Sequence, residues 1–161
     1  MLLKNMDNKY IVKVLNIKEN YVMKILAIDL GGVRTGLAIC DKDELLASPL
    51  CVIEQRNYEK LADQILEIVR KNNVEHLVLG LPKNMDGSEG DSAKRAYDFA
   101  ELIKDKTGLD VFMKDERGTT ITAHNFLNTT DVRGKKRKSV VDAVAATIIL
   151  QDYLDYRRNH K

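Results

Sequence analysis

The sequence predicts an α/β domain in which an antiparallel three-stranded meander leads into strands that alternate with helices. Three observations predict it. The run Ile25-Leu26-Ala27-Ile28 is short, uniformly apolar and β-rich, so it reads as a strand buried on both faces. Two further β-rich runs follow at once, joined by short turn-forming segments of the kind that connect antiparallel strands. After residue 55 the apolar spacing alternates between helical and strand-like, the pattern of parallel crossovers covered by helices.

In chain order, the first strand spans 24–30 and the second 33–41, where Val33, Leu37 and Ile39 alternate with smaller or polar residues. Asp41-Lys42-Asp43-Glu44 turns the chain into a third strand over 45–54. Asn57 is placed to cap a helix over 58–71, whose Leu61, Ile65, Ile68 and Val69 form one apolar face. A fourth strand over 74–80 ends at Gly80-Leu81-Pro82, and residues 83–90 are rich in turn formers. A helix over 91–106 turns Ala96, Phe99, Ala100 and Ile103 inward and stops at Gly108. The fifth strand, 109–114, runs into Asp115-Glu116-Arg117. Thr119 or Thr120 is placed to cap a helix to about residue 127, a polar stretch covers 128–138, and a last helix covers 139–155. Residues 1–22 hold apolar side chains in a pattern broken by Asn and Lys, and they read as an N-terminal extension. The domain proper is expected over 23–156, with 157–161 as a polar tail.

At 161 residues, with 44% apolar and 31% charged content, the chain is long enough for one packed core. The formal charge of +2 is unevenly spread, because basic residues gather towards the C-terminus. No run approaches the roughly 18 apolar residues that cross a bilayer, and the N-terminus lacks the layout of a secretory signal, so no membrane partner is expected. Cys40 and Cys51 lie in adjacent strands. A hairpin turning near Asp43 sets Cys40 opposite Ala47 rather than Cys51, which predicts two free thiols in a reducing cytoplasm.

Three acids sit where their surroundings do not call for them. Asp29 ends the first buried strand and Glu116 the fifth, while Asp142 interrupts the apolar run Val140-Val141-Asp142-Ala143-Val144-Ala145-Ala146. At helical spacing Asp142 shares a face with Ala145, Ala146 and Ile149, small residues that let a helix lie close to a sheet. The ordinary alternatives are a Gly-Gly hairpin turn after Asp29 and a capping box, Ser139 to Asp142. If the strands of Asp29 and Glu116 are parallel neighbours, both acids stand on the rim where open sheets collect ligands. Three ionised carboxylates there would repel one another, and two Mg²⁺ or Mn²⁺ ions would relieve the repulsion and suit a scissile phosphate. An all-oxygen donor set favours those ions over Zn²⁺. Arg133, Lys135, Lys136, Arg137 and Lys138 form a basic cluster before the last helix, and Arg34 and Arg117 stand beside two of the acids. All seven are candidates for holding a nucleic-acid backbone, although such a run is often only a solvated loop.

Four segments then occur in order: Asp-Leu-Gly-Gly-Val-Arg-Thr-Gly at 29–36, Gly-Leu-Pro-Lys-Asn-Met-Asp-Gly-Ser at 80–88, Asp-Glu-Arg-Gly-Thr-Thr at 115–120 and Val-Asp-Ala-Val-Ala-Ala at 141–146. Together they resemble the YqgF/RuvX family of Holliday-junction-resolvase-like, pre-16S rRNA nuclease proteins. The resemblance implies an RNase H-like fold, with a five-stranded mixed sheet in the order 3-2-1-4-5 and flanking helices. It implies a cytoplasmic, metal-dependent nuclease in 5′ processing of 16S rRNA, with Asp29, Glu116 and Asp142 as the metal-binding acids. Gly118 departs from the family pattern, which has an apolar residue there. Other readings are a Holliday junction resolvase acting on branched DNA, and a non-catalytic binding protein on the ribosome or a pre-ribosomal particle. A sugar-kinase-like or actin-like ATPase would need a second lobe and a second Asp-x-Gly loop, which this chain lacks. Either a monomer or a homodimer is compatible with the sequence.

Overall fold

The computed structural model describes residues 22–117 and 134–160, the side chains of 134–140 excepted. Its elements are β1 (Ile25–Asp29), β2 (Arg34–Cys40), β3 (Ala47–Glu54), α1 (Tyr58–Lys71), β4 (His76–Leu81), α2 (Asp91–Thr107), β5 (Val111–Asp115) and α3 (Gly134–Asn159). They form one sheet in the order β3-β2-β1-β4-β5, as the family resemblance implies. β1, β2 and β3 pair antiparallel, whereas β1–β4 and β4–β5 pair parallel. The division into a meander followed by crossovers therefore holds. So does the hairpin register, in which Cys40 faces Ala47, Cys51 faces Leu37 and both thiols are free.

Strand alternation decides the layering. Leu26, Ile28, Leu37, Leu77 and Leu79 join Leu61, Ile65, Ala96, Phe99 and Ile103 in a core between the sheet and helices α1 and α2. Their neighbours Ile25, Ala27, Ala38 and Val78 join Ala146, Ile149, Leu150, Tyr153 and Leu154 of α3 in a second core on the opposite face. The strands are apolar on both sides because helices cover both.

The helix boundaries follow local chemistry. Asn57 caps α1, its side-chain oxygen accepting from the Lys60 amide at 3.0 Å. α2 ends where Gly108 takes a left-handed conformation at φ 69° and its amide bonds the Lys104 carbonyl. Helix α3 differs from expectation at both ends. It begins at Gly134, so 134–138 are helical rather than part of a polar loop, in keeping with the good helix propensity of Lys and Arg. Ser139 and Asp142 consequently lie inside the helix, which overturns the capping-box reading of Asp142. At the other end α3 continues to Asn159, and Arg157, Arg158 and Asn159 form its last turn instead of a tail. Arg157 is held there by Glu44, 3.2 Å away and nearly buried, and by the ring of Tyr153. The extension over 1–21, Gly118, the short helix expected after Thr119 or Thr120 and Arg133 lie outside the described residues.

Candidate active site

The period of two places the candidate acids. Ile25 and Ala27 face α3, so Asp29, two residues on, continues that face at the C-terminal rim of β1. Glu116 follows β5 directly, its amide bonding the Leu81 carbonyl at 3.2 Å and extending the ladder past Asp115. Phe112, four residues earlier, packs on Tyr153 of α3, which puts Glu116 on the α3 side as well.

The strands of Asp29 and Glu116 are parallel but not neighbours, because β4 runs between them. The two carboxyl groups nevertheless come close enough to act on each other's ionisation. Gly80 of β4 makes that possible. A Cβ at Gly80 would overlap Glu116 Oε2 and stand 2.9 Å from Cδ1 of Ile149, so only a residue without a side chain leaves Glu116 room to cross β4. Gly36 does the same for the third acid. It is the register partner of Asp29 on β2, and a Cβ there would overlap the backbone carbonyl of Asp142. The missing side chain lets α3 settle onto the sheet beside Asp29. Ala145, Ala146 and Ile149 complete the buried face of α3, as the helical spacing predicts.

The electrostatics follow from this crowding. Burial pushes the Asp29 pKa up to about 6, the charge of Asp142 adds to the rise, and the hydrogen bond from Glu116 opposes it. Burial pushes Glu116 further, to about 8, helped by the Asp29 charge and the hydrogen bond to Asp29, with a smaller push from Asp115. The two carboxyls therefore titrate as a pair, both harder to ionise than in water.

Asp142 stands near enough for its charge to act on Asp29, but its Oδ2 lies 3.1 Å from Nε of Arg34. Among the described residues no three metal-ligating side chains converge on one point. Asp29 and Glu116 are thus brought together, and Asp142 stands alongside with its carboxylate on Arg34. Arg117 pairs with Asp115 at 2.8 Å and holds that carboxyl below its usual range. Both arginines singled out from the sequence are therefore engaged with carboxylates. Lys135, Lys136, Arg137 and Lys138 occupy the first turns of α3, and their side chains lie outside the described residues.

The donor set fits a hard divalent cation. Two partly buried carboxylates that resist ionisation through burial and each other's charge, with a third close by, offer oxygen ligands alone. On the other side of the rim, Glu116 also borders a cleft of about 240 Å³, shared with Leu30, Gly31, Gly32, Tyr58, Ser92 and Arg95. Sequence reasoning missed Gly36 and Gly80. Their one signal was a glycine inside an apolar strand, where close backbone approach is a standing reason for it.

Comparison with known proteins bears on the fold and on descent. The model of the RuvX family, described as Holliday junction resolvase, matches residues 23–156. A protein of Caldanaerobacter subterraneus subsp. tengcongensis named "Putative pre-16S rRNA nuclease" is 40% identical over 138 residues, covering 85% of this chain and 99% of its own. One of the same name from Clostridium acetobutylicum is 40% identical over 133 residues, covering 83% and 98%. Among solved structures, Thermus thermophilus RuvC bound to a Holliday junction superposes with a TM-score of 0.55 at 14% identity, over 85% of this chain and 96% of that one. The fowlpox virus resolvase bound to junction DNA superposes with a TM-score of 0.53 at 12% identity, over 84% and 99%. At those identities the structures speak for the fold, which is the RNase H-like one. The family match and the end-to-end relatives settle descent: the chain belongs to the RuvX family.

Proposed function

We propose that this protein is a divalent-cation-dependent endonuclease that cleaves a phosphodiester bond in 5′-end processing of precursor 16S rRNA. The observation that carries the reading is the Asp29–Glu116 pair, two partly buried acids brought together across an intervening strand through a glycine. Packing gains nothing from such a pair, since burying like charges costs free energy that an apolar pair would not. A site that binds cations explains it. Membership of the RuvX family and the names of the curated relatives support the substrate class.

Asp29 and Glu116 would hold the cations, with Asp142 completing the set from α3. One or two Mg²⁺ or Mn²⁺ ions supply Lewis acidity and charge neutralisation for displacement at phosphorus. The chain itself positions the substrate: the basic first turns of α3 lie on the element that carries Asp142, where Lys135, Lys136, Arg137 and Lys138 would track the backbone. Arg34 and Arg117 would serve it from beside the acids. We place the activity in the cytoplasm, on free precursor RNA or on a pre-ribosomal particle.

A second reading, cleavage of four-way DNA junctions, is favoured by the description of the family model. Symmetric resolution of a junction calls for two sites and hence a homodimer, whereas trimming one RNA end needs a single protomer. Incubation with precursor 16S rRNA and with a synthetic junction, each with Mg²⁺ and with EDTA, separates the two. The proposal expects Mg²⁺-dependent cutting of the RNA at the 5′ side of the mature sequence. Cutting of the junction alone would favour resolution, and binding without cutting of either would favour a non-catalytic role.

A further inference from the structure

Taking the nuclease reading as its basis, we infer that the cleft between the β1–β2 turn and helix α2 is a second phosphate site, with Arg95 as its anchor. It would hold a backbone phosphate of the nucleic acid next to the one being cut. Glu116 joins the two sites. It reaches Asp29 on the α3 side of the sheet and lines the cleft on the α2 side. A strand whose scissile phosphate sits at the acids would therefore continue into the cleft.

The lining suits a phosphate. Arg95 makes a hydrogen bond at 2.9 Å to Oγ of Ser92, which also lines the cleft, and it has no carboxylate partner among the described residues. Arg34 and Arg117, by contrast, are held by Asp142 and Asp115. The cleft thus contains an arginine with no ion-pair partner among the described residues, and a planar guanidinium matches phosphate oxygens well. Gly31 and Gly32 are not equivalent there. A Cβ at Gly31 would overlap the Arg34 carbonyl, so the turn itself requires glycine. A Cβ at Gly32 would meet nothing within 4 Å among the described residues. Sterics among the described residues leave Gly32 free to carry a side chain, and the glycine instead keeps the mouth of the cleft open. At about 240 Å³ the space falls below the roughly 300–1,000 Å³ of sites that enclose whole small molecules, which fits one phosphoryl group of a chain passing through.

The test uses the full-length protein and a fluorescein-labelled RNA spanning the 5′ boundary of mature 16S rRNA. Anisotropy gives binding across a salt series in EDTA, and a parallel assay gives cleavage in Mg²⁺. Arg95→Ala is expected to weaken binding about tenfold, the scale of one hydrogen-bonded charge contact. It should also flatten the plot of log affinity against log salt by about 0.7, the share of one phosphate on a single strand. Arg95→Lys should keep most of that slope while losing affinity. Gly32→Val should weaken binding by blocking the cleft and leave thermal stability unchanged. If the wild type binds and cleaves while Arg95→Ala and Gly32→Val match it, the second phosphate site is wrong and the nuclease reading stands. If the wild type neither binds nor cleaves this RNA or a four-way junction, both fall together.

Discussion

At the scale of single residues, the site depends as much on the glycines as on the acids. Gly80 is the gap through which Glu116 reaches Asp29. Gly80→Ala would put a methyl group where Oε2 of Glu116 now lies, and we expect Mg²⁺-dependent cleavage to fall roughly a hundredfold, the scale of about 1 Å of misplacement at a reacting centre. Because the displaced atom ends a flexible side chain, the cost in stability should stay near 1 kcal/mol. Single-turnover cleavage and urea denaturation measured together check this; unchanged cleavage would mean that the Asp29–Glu116 contact is dispensable. Asp29 and Glu116 were legible in the sequence because a carboxylate directly after an apolar strand stands out. Gly80 was not, since a glycine near a strand end reads equally well as a terminator. The ion pair between Arg34 and Asp142 was hidden for a different reason: its partners are 108 positions apart and meet only through packing.

At the scale of elements, the helix α3 is what brings Asp142 to the sheet. Its approach depends on Gly36, which faces Asp29 in the β1–β2 ladder and leaves space for the Asp142 backbone. Here the obstacle is main chain rather than a movable side-chain tip, so Gly36→Val has to push the whole helix outward. We expect a loss of about 1–3 kcal/mol or more, seen as a lower urea midpoint, with cleavage lost even where the variant remains folded. A stable, active Gly36→Val would contradict the close docking of α3. The sheet order came from family resemblance, whereas the alternation of apolar spacing was enough for the strands and for α1 and α2. The bounds of α3 were harder to read. A lysine-rich run is compatible with a solvated loop and with helix alike, and Ser139 with an acid three positions later imitates a helix start. Likewise Arg157 reads as tail until its contact with Glu44, 113 positions away, is known.

For the whole molecule, the crowded, partly buried acids make stability depend on pH. Asp29 and Glu116 bind protons more tightly in the folded chain than in the unfolded one, so their contribution is fully present below about pH 4. It is lost as pH rises through about 6 and then about 8, where the folded protein must either ionise the pair or keep its protons at a cost. His76, whose pKa is lowered by burial, contributes with the opposite sign. The acids' share is therefore the difference in melting temperature between the wild type and the double variant Asp29→Asn/Glu116→Gln, followed in EDTA from pH 4.5 to 9. That difference should shift steadily in favour of the variant as pH rises, and Mg²⁺ should narrow it by stabilising only the wild type. The central claim, that the crowded acids exist to work with a cation on a phosphodiester, is tested most directly by Mg²⁺-dependent cleavage of precursor 16S rRNA by Asp29→Asn. The account predicts a loss of at least about a hundredfold, on the scale of removing one preorganised contact to the reacting centre, with a melting temperature at neutral pH no lower than that of the wild type. Cleavage at the wild-type rate by a folded Asp29→Asn would contradict it.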